Sequence, residues 1–236
     1  MGKENPHAEH RIRLRDQFLN HGLESLPDHK TLELLLFYAI PQRDVSEEAR
    51  ALLHRFGSFS AVLEAAPQDL MEIKGIGKIS ASLIQLITAL GRRYQIEKQI
   101  VKSPLLSTEE IGRHILPYFY GCTEEVVYLF CLNANRVVTY HELLAEGSVN
   151  SVNFNVRRAT EVSLRRGATS VILAHNHPGG VAMPSTADIR ITEKFVAALA
   201  AVGLCLVDHI IVANDDFVSL RDSGHLAQIE SMPNSP

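Results

Sequence analysis

Between residues 8 and 100 apolar side chains recur at helical intervals, and the links between the clusters are short. Leu32, Leu34, Leu35, Leu36 and Phe37 predict a helix after the break at Pro27-Asp28, with Pro41 stopping it. A second helix opens in Asp44-Val45-Ser46-Glu47-Glu48, with Asp44 or Ser46 as the N-cap. It ends at Gly57, and Ser58 starts the next. The pattern changes from residue 124. Residues 126–132 are rich in β-branched and aromatic side chains and predict a strand; Asn133-Ala134-Asn135 is a turn, and residues 136–144 return as the second strand of a hairpin. A helix over 155–166 closed by Gly167, a buried strand over 169–175, a helix from about Thr186 to Val202 closed by Gly203, and strands over 204–213 and 217–220 follow. The expected fold class is therefore α/β in two parts: an amino-terminal all-α domain and a mixed sheet flanked by helices.

The division is expected within residues 97–107, which are polar at the start and contain Pro104. This gives a helical domain over 1–102 and an α/β domain over 103–236, whose first helix is capped by Ser107-Thr108-Glu109-Glu110 and ends near Leu116. Hydrophobic residues make up 46% and charged residues 21%, a balance that excludes a disordered chain and leaves enough apolar surface for a core without staples. The formal charge of −4 excludes a general polyanion binder. Residues 1–102 carry 14 Lys/Arg against 13 Asp/Glu, so contact with nucleic acid would need a local patch there. Cys122, Cys131 and Cys205 lack metal-type spacing; they read as small hydrophobes in a reducing compartment, with Cys205 in the core. The start has no apolar core of a secretory signal, and no window approaches a membrane span, so a cytoplasmic protein without membrane contact is expected. The tail from Ser231, with two prolines, is expected to be disordered.

The chemistry concentrates in His175-Asn176-His177-Pro178, followed by Ser185 and Asp188. Two histidines two apart on a strand present their rings to the same side, and Pro178 with Gly179-Gly180 turns the chain directly after them. A carboxylate one short loop later can complete three protein ligands, which with one open position is the arrangement of a catalytic Zn²⁺. Ser185-Thr186-Ala187-Asp188 is equally a good helix start, with Ser185 as N-cap and Asp188 as the capping-box acid, and spacing alone does not separate the two readings.

The string HNHPGGVAMPSTAD resembles the JAMM signature of JAB/MPN metalloproteases: His-x-His-Pro, a serine ten residues after the first histidine, and an aspartate three further on. The layout over nearly the whole chain, with a helical amino-terminal domain, resembles the bacterial RadC family. The resemblance implies a JAB/MPN-type fold and a zinc hydrolase acting on the peptide or isopeptide bonds of a protein or peptide substrate. It implies that His175, His177 and Asp188 hold Zn²⁺, and that Ser185 helps hold the water or a developing oxyanion. The glutamate that such enzymes use as general base falls on Glu125, at the start of the strand over 126–132, rather than on Glu124, since a one-residue slip reverses the face. Gly179 stands where serine is more usual in the family, and Asn155-Val156-Arg157 where a His-Pro-Arg string is common.

Ile73-Lys74-Gly75-Ile76-Gly77-Lys78 resembles a helix-hairpin-helix motif. Gly75 and Gly77 allow a tight turn at a helix start, and Lys74 and Lys78 add charge for phosphate. This carries the alternative function, a DNA-binding or DNA-repair-associated module whose metal centre is structural or acts on nucleic acid. Against it stands a hairpin used for packing, with Ile73, Ile76, Ile79 and Ile84 in the core. His209, beside Asp208 on a strand, is read as a satisfied core histidine or a group behind the metal ligands. His114 and His141 are read as surface residues, and the pairs Arg157-Arg158 and Arg165-Arg166 as a solvated helix face.

Overall fold

A computed structural model describes residues 6–41, 43–99, 103–147 and 154–231. The chain forms two compact units, the first ending at Gly91 and the second beginning at Arg92.

Six helices carry the first unit: α1 (Pro6–His21), α2 (Asp28–Ala39), α3 (Ser46–Phe56), α4 (Phe59–Glu64), α5 (Pro67–Met71) and the start of α6 (Lys78–Gln99). Leu32, Leu36, Ala49, Leu52, Val62, Leu70 and Ile84 form its core. Lys30 and His10 each reach the fully buried Glu33 carboxylate, at 2.9 and 2.8 Å, which ties α1 to α2. The N-cap of α3 is Val45, between the two expected caps, and the Asp44 carboxylate accepts the Ser46 N–H at 2.9 Å from one position before it. Ile76 and Ile84 are buried as expected, but Ile79 is 73% exposed. Five residues along a helix place it about 140° from Ile84, off the face that Ile84 buries. Glu97 to Gln99, expected in a linker, continue α6, and the linker residues 100–102 lie outside the described residues.

The second unit is a five-stranded sheet with helices on both faces. Its elements are α7 (Thr108–Ile115), β1 (Glu125–Leu132), β2 (Val138–Gly147), α8 (Val156–Arg165), β3 (Ser170–Asn176), α9 (Thr186–Ala200), β4 (Cys205–Ala213), β5 (Asp216–Ser219) and α10 (His225–Ser231). The strand order is β2-β1-β3-β4-β5; β3 and β4 are parallel and the other neighbours antiparallel. The parallel pair needs a crossover, which α9 supplies. Alternation divides β1 cleanly. Val127, Leu129 and Cys131 join Leu173 and Ile211 under Ala159, Val162, Phe195 and Leu199 of α8 and α9. Val126, Phe130 and Leu132 join Ile172, Ala174 and Ile210 on the other face, under Ile111 and Ile115 of α7 and the following 3-10 turn Leu116–Phe119. Every residue of β3 is buried, as a strand covered on both faces requires.

Several expectations shift. Strand β2 begins at Val138, because Arg136 takes a left-handed conformation (φ 58°) that extends the turn. Cys205 is exposed, since it opens β4 at the rim of the sheet while the rest of that strand is buried. His114 is half-buried against Tyr118 and Phe130 rather than on the surface. Ser231 ends α10, and the tail beyond it lies outside the described residues. The arginine pairs line the α8 surface as expected, with Arg157 on Glu161, Arg158 on Glu142, and Arg166 stacked 3.6 Å above the Tyr140 ring.

Gly112 on α7 lies flat against the Phe217 ring, which occupies the space of any Cβ at that position. Gly112→Ala is therefore expected to destabilise the protein by about 1–3 kcal/mol through overpacking, although alanine is the better helix former. Denaturant titration checks this; an unchanged or higher midpoint would show that the ring moves away at no cost.

Candidate metal centre

The end of β3 builds the site. Antiparallel register pairs Val127 with His175, so the odd-numbered residues of β1 share a face with His175. Glu125 therefore projects to the same side as both histidines, and is 9% exposed, whereas Glu124 is exposed and precedes the strand. Ligand atoms of Glu125, His175 and His177 lie within 4.8 Å of one another. Burial pushes the Glu125 carboxyl above the ordinary carboxylate range; the two imidazoles oppose that shift and Asp188 adds to it.

Asn176, between the histidines, points the other way and fastens the start of β1. Its Oδ1 accepts the Val126 N–H at 2.7 Å, and its Nδ2 donates to the Glu124 carbonyl at 3.1 Å, on either side of Glu125. Beyond β3 the His177 N–H extends the ladder to Val212 O at 2.8 Å. The chain then reverses through Pro178 and Gly179 (φ 67°), and Gly180 N–H closes the turn on His177 O at 3.1 Å. This turn brings Val181 O to 3.3 Å from His177 Nδ1. A carbonyl only accepts, so Nδ1 bears a hydrogen and Nε2 is the ring nitrogen that faces the site.

Asp188 is the capping-box acid, one of the two readings that spacing left open, and its second oxygen faces His175. Its Oδ2 accepts the Ser185 N–H at 2.7 Å and the Ser185 hydroxyl accepts the Asp188 N–H at 3.2 Å, a complete capping box at the start of α9. Its Oδ1 is buried and accepts no hydrogen bond. That oxygen lies 3.2 Å from His175 Nε2; Oδ2 lies 3.5 Å from His177 Nε2, and the two Nε2 atoms are 3.0 Å apart. Atoms 2.0–2.2 Å from a tetrahedral zinc stand roughly 3.3–3.6 Å from one another, so the spacing here is close to what the ion needs. A buried carboxylate oxygen without a donor, facing two imidazole nitrogens, suits a cation. The residues fit the metal. Burial raises the Asp188 carboxyl, but the His175 ring and the Ser185 N–H and hydroxyl outweigh it and hold the group well below the ordinary carboxylate range.

His209 lies behind His175. Parallel register sets it beside Leu173, and its Nε2 is 2.8 Å from His175 Nδ1. Burial pushes its pKa well below the ordinary histidine value. The Asp208 carboxylate beside it in sequence serves Ser219, Arg221 N–H and the His209 N–H instead. Thr192 and Asn176 were not anticipated. The signal for Thr192 was its place four residues after Asp188, on the same helix face; for Asn176 it was strand alternation.

The amino-terminal turn is arranged differently. Gly75 (φ 93°) has the Glu48 carboxylate packed against its Cα, and Arg43 bridges Glu48 Oε1 (2.5 Å) and Gly75 O (3.3 Å). Lys74, Gly77 and Lys78 are exposed.

Comparison with known proteins identifies the family. Residues 105–225 match the model of the RadC-like JAB domain, and residues 6–82 match that of the UPF0758 N-terminal domain. The chain belongs to the RadC-like JAB family. Relatives span the same length: a UPF0758 protein of Ruegeria pomeroyi is 34% identical over 218 residues, covering 92% of this chain and 97% of its own. One from Rhodobacter capsulatus is 35% identical over 218 residues, covering 90% and 100%. One from Cellvibrio japonicus is 32% identical over 216 residues, covering 91% and 96%. The helical first part and the mixed sheet flanked by helices are those of a JAB/MPN-type protein. Among the described residues no helix is long and apolar enough to cross a membrane.

Asn176→Leu in this RadC-like protein is expected to cost about 1–3 kcal/mol, because it leaves the buried Val126 N–H unpaired. Chemical denaturation measures the loss; parent-like stability would show that β1 is held without this side chain.

Proposed function

We propose that the protein is a zinc-dependent hydrolase of the JAMM type that cleaves peptide or isopeptide bonds in a protein substrate. The observation that carries the reading is the meeting of His175 Nε2, His177 Nε2 and the donor-free Asp188 Oδ1, with the Glu125 carboxylate beside the two rings. Family membership supports it. His175, His177 and Asp188 would hold the ion. When bound, zinc supplies Lewis acidity, polarising a carbonyl and lowering the pKa of water towards ~7.

The chain's own residues supply the proton transfers. Glu125, raised in pKa by burial, is suited to take a proton from the attacking water and return it to the leaving amine. The Ser185 hydroxyl accepts from the Asp188 N–H, and its own proton, which also reaches the Asp188 carboxylate, would be able to turn to a developing oxyanion. A single cation beside one carboxylate suits attack on a carbonyl better than phosphodiester cleavage, which often uses two metals.

The nucleic-acid alternative, through Lys74, Gly75, Gly77 and Lys78, has the Glu48 carboxylate against it, since that negative group lies directly against Gly75 and opposes a phosphate at this turn.

Metal analysis after zinc loading is expected to give one ion per chain in the parent and in Glu125→Gln, and none in His175→Ala. Glu125→Gln is expected to lower cleavage in a peptide and isopeptide library by ~10²–10⁴-fold while retaining its zinc. A parent that takes up no zinc would end the proposal. Titration with single- and double-stranded DNA at low salt is expected to show no binding that depends on Lys74 and Lys78; binding lost in Lys74→Ala/Lys78→Ala would restore the alternative.

A further inference from the structure

Four groups in series run from the backbone of α9 to the ring of His175. Thr192 Oγ1 lies 2.5 Å from Asp188 O; Thr192 Oγ1 lies 2.7 Å from His209 Nδ1; and His209 Nε2 lies 2.8 Å from His175 Nδ1. His175, Asp188, Thr192 and His209 are all buried. The direction of each hydrogen bond follows from where protons are available. Two oxygens 2.5 Å apart need a proton between them, and a carbonyl has none to give, so the Thr192 hydroxyl donates to Asp188 O. With that proton committed, Thr192 Oγ1 is the acceptor towards His209, and His209 Nδ1 bears the hydrogen. The ring partners of His209 are a hydroxyl and an imidazole, and full burial disfavours an imidazolium there more than the nearby Asp188 carboxylate favours it, so its Nε2 has a lone pair. The proton between His209 Nε2 and His175 Nδ1 must then belong to His175.

We infer that His209 and Thr192 are positioning residues that hold a proton of His175 on Nδ1 and so aim its Nε2 at the metal site. The inference rests on the metal reading for its consequence, though not for its geometry. It accounts for the 3.0 Å approach of the two Nε2 atoms. The relay puts a hydrogen on His175 Nδ1, and the Val181 carbonyl independently puts one on His177 Nδ1, so Nε2 is the nitrogen of each ring left for the metal site. Two Nε2 atoms 3.0 Å apart, with the buried Asp188 Oδ1 3.2 Å from one of them, suit a cation. The relay also couples the ligands. Asp188 contributes its side chain to the site and its backbone carbonyl to the chain of bonds that orients His175, so one turn of α9 sets two of the three ligands.

Metal-free protein labelled with ¹⁵N at histidine, read by long-range ¹H–¹⁵N correlation, tests the relay directly. The expected result is Nδ1–H at both His175 and His209 in the parent. Thr192→Val removes the acceptor behind His209 with little change in volume; His209 is expected to lose its single tautomer and His175 to become mixed. Zinc affinity measured by chelator competition is expected to fall about 10–100-fold in Thr192→Val and in His209→Leu. A His175 without Nδ1–H in the parent, or a Thr192→Val variant with unchanged tautomers and unchanged zinc affinity, would overturn the inference. A parent with the expected tautomers but no zinc uptake would refute the metal reading and leave the tautomer assignment standing.

Discussion

At the end of β3 the His175 Nε2 lies 3.0 Å from His177 Nε2 and 3.2 Å from Asp188 Oδ1, and Asp188 Oδ2 lies 3.5 Å from His177 Nε2. Crowding two imidazoles and a carboxylate into a partly dry place is costly, and the surrounding structure must hold them together. The restraints come from several directions. Strand pairing sets the histidines on one face, the Gly179 turn brings a carbonyl to His177, the capping box fixes Asp188, and His209 supports His175 from behind. Each restraint uses backbone groups or buried side chains, so the site is preorganised by the same contacts that close the fold.

The double use of Asp188 shows how the protein limits the cost of that arrangement. One oxygen satisfies the first turn of α9, a contribution worth about 1 kcal/mol to a helix start. The other is left without a donor. A carboxylate committed on one side to the backbone cannot swing away to solvate the other, so the donor-free oxygen stays aimed at the histidines. A cation bound there supplies the missing partner, and its binding free energy adds to the stability of the folded state.

Much of this was legible in the chain. The strand that delivers His175 and His177, the N-cap at Ser185 and the helix after it follow from local pattern, and local pattern is what a sequence displays most openly. The choice of Glu125 over Glu124 depends on register with β3, about fifty residues away; the family resemblance, not the local pattern, pointed to it. His209 was ambiguous because its neighbour in sequence is Asp208, whereas its partners are Thr192 and His175, reached across the helix–sheet interface and across strands. Exposed Ile79 and Cys205 were misplaced for a common reason: apolar character does not say which face of a helix, or which end of a strand, meets the core. The start of β2 moved because Arg136, an ordinary residue by type, takes a left-handed conformation that nothing in its identity announces. The Gly75 turn was read from its glycines and lysines; the Glu48 carboxylate beside it comes from another helix.

The most direct test is a crystal structure of the zinc-loaded protein with the ion located by its anomalous signal. The account requires zinc about 2.0–2.2 Å from His175 Nε2, His177 Nε2 and Asp188 Oδ1, with the Glu125 carboxylate facing the remaining coordination position. Zinc bound through Nδ1 of either histidine, or bound elsewhere with Asp188 Oδ1 taken up by a protein donor, would contradict it.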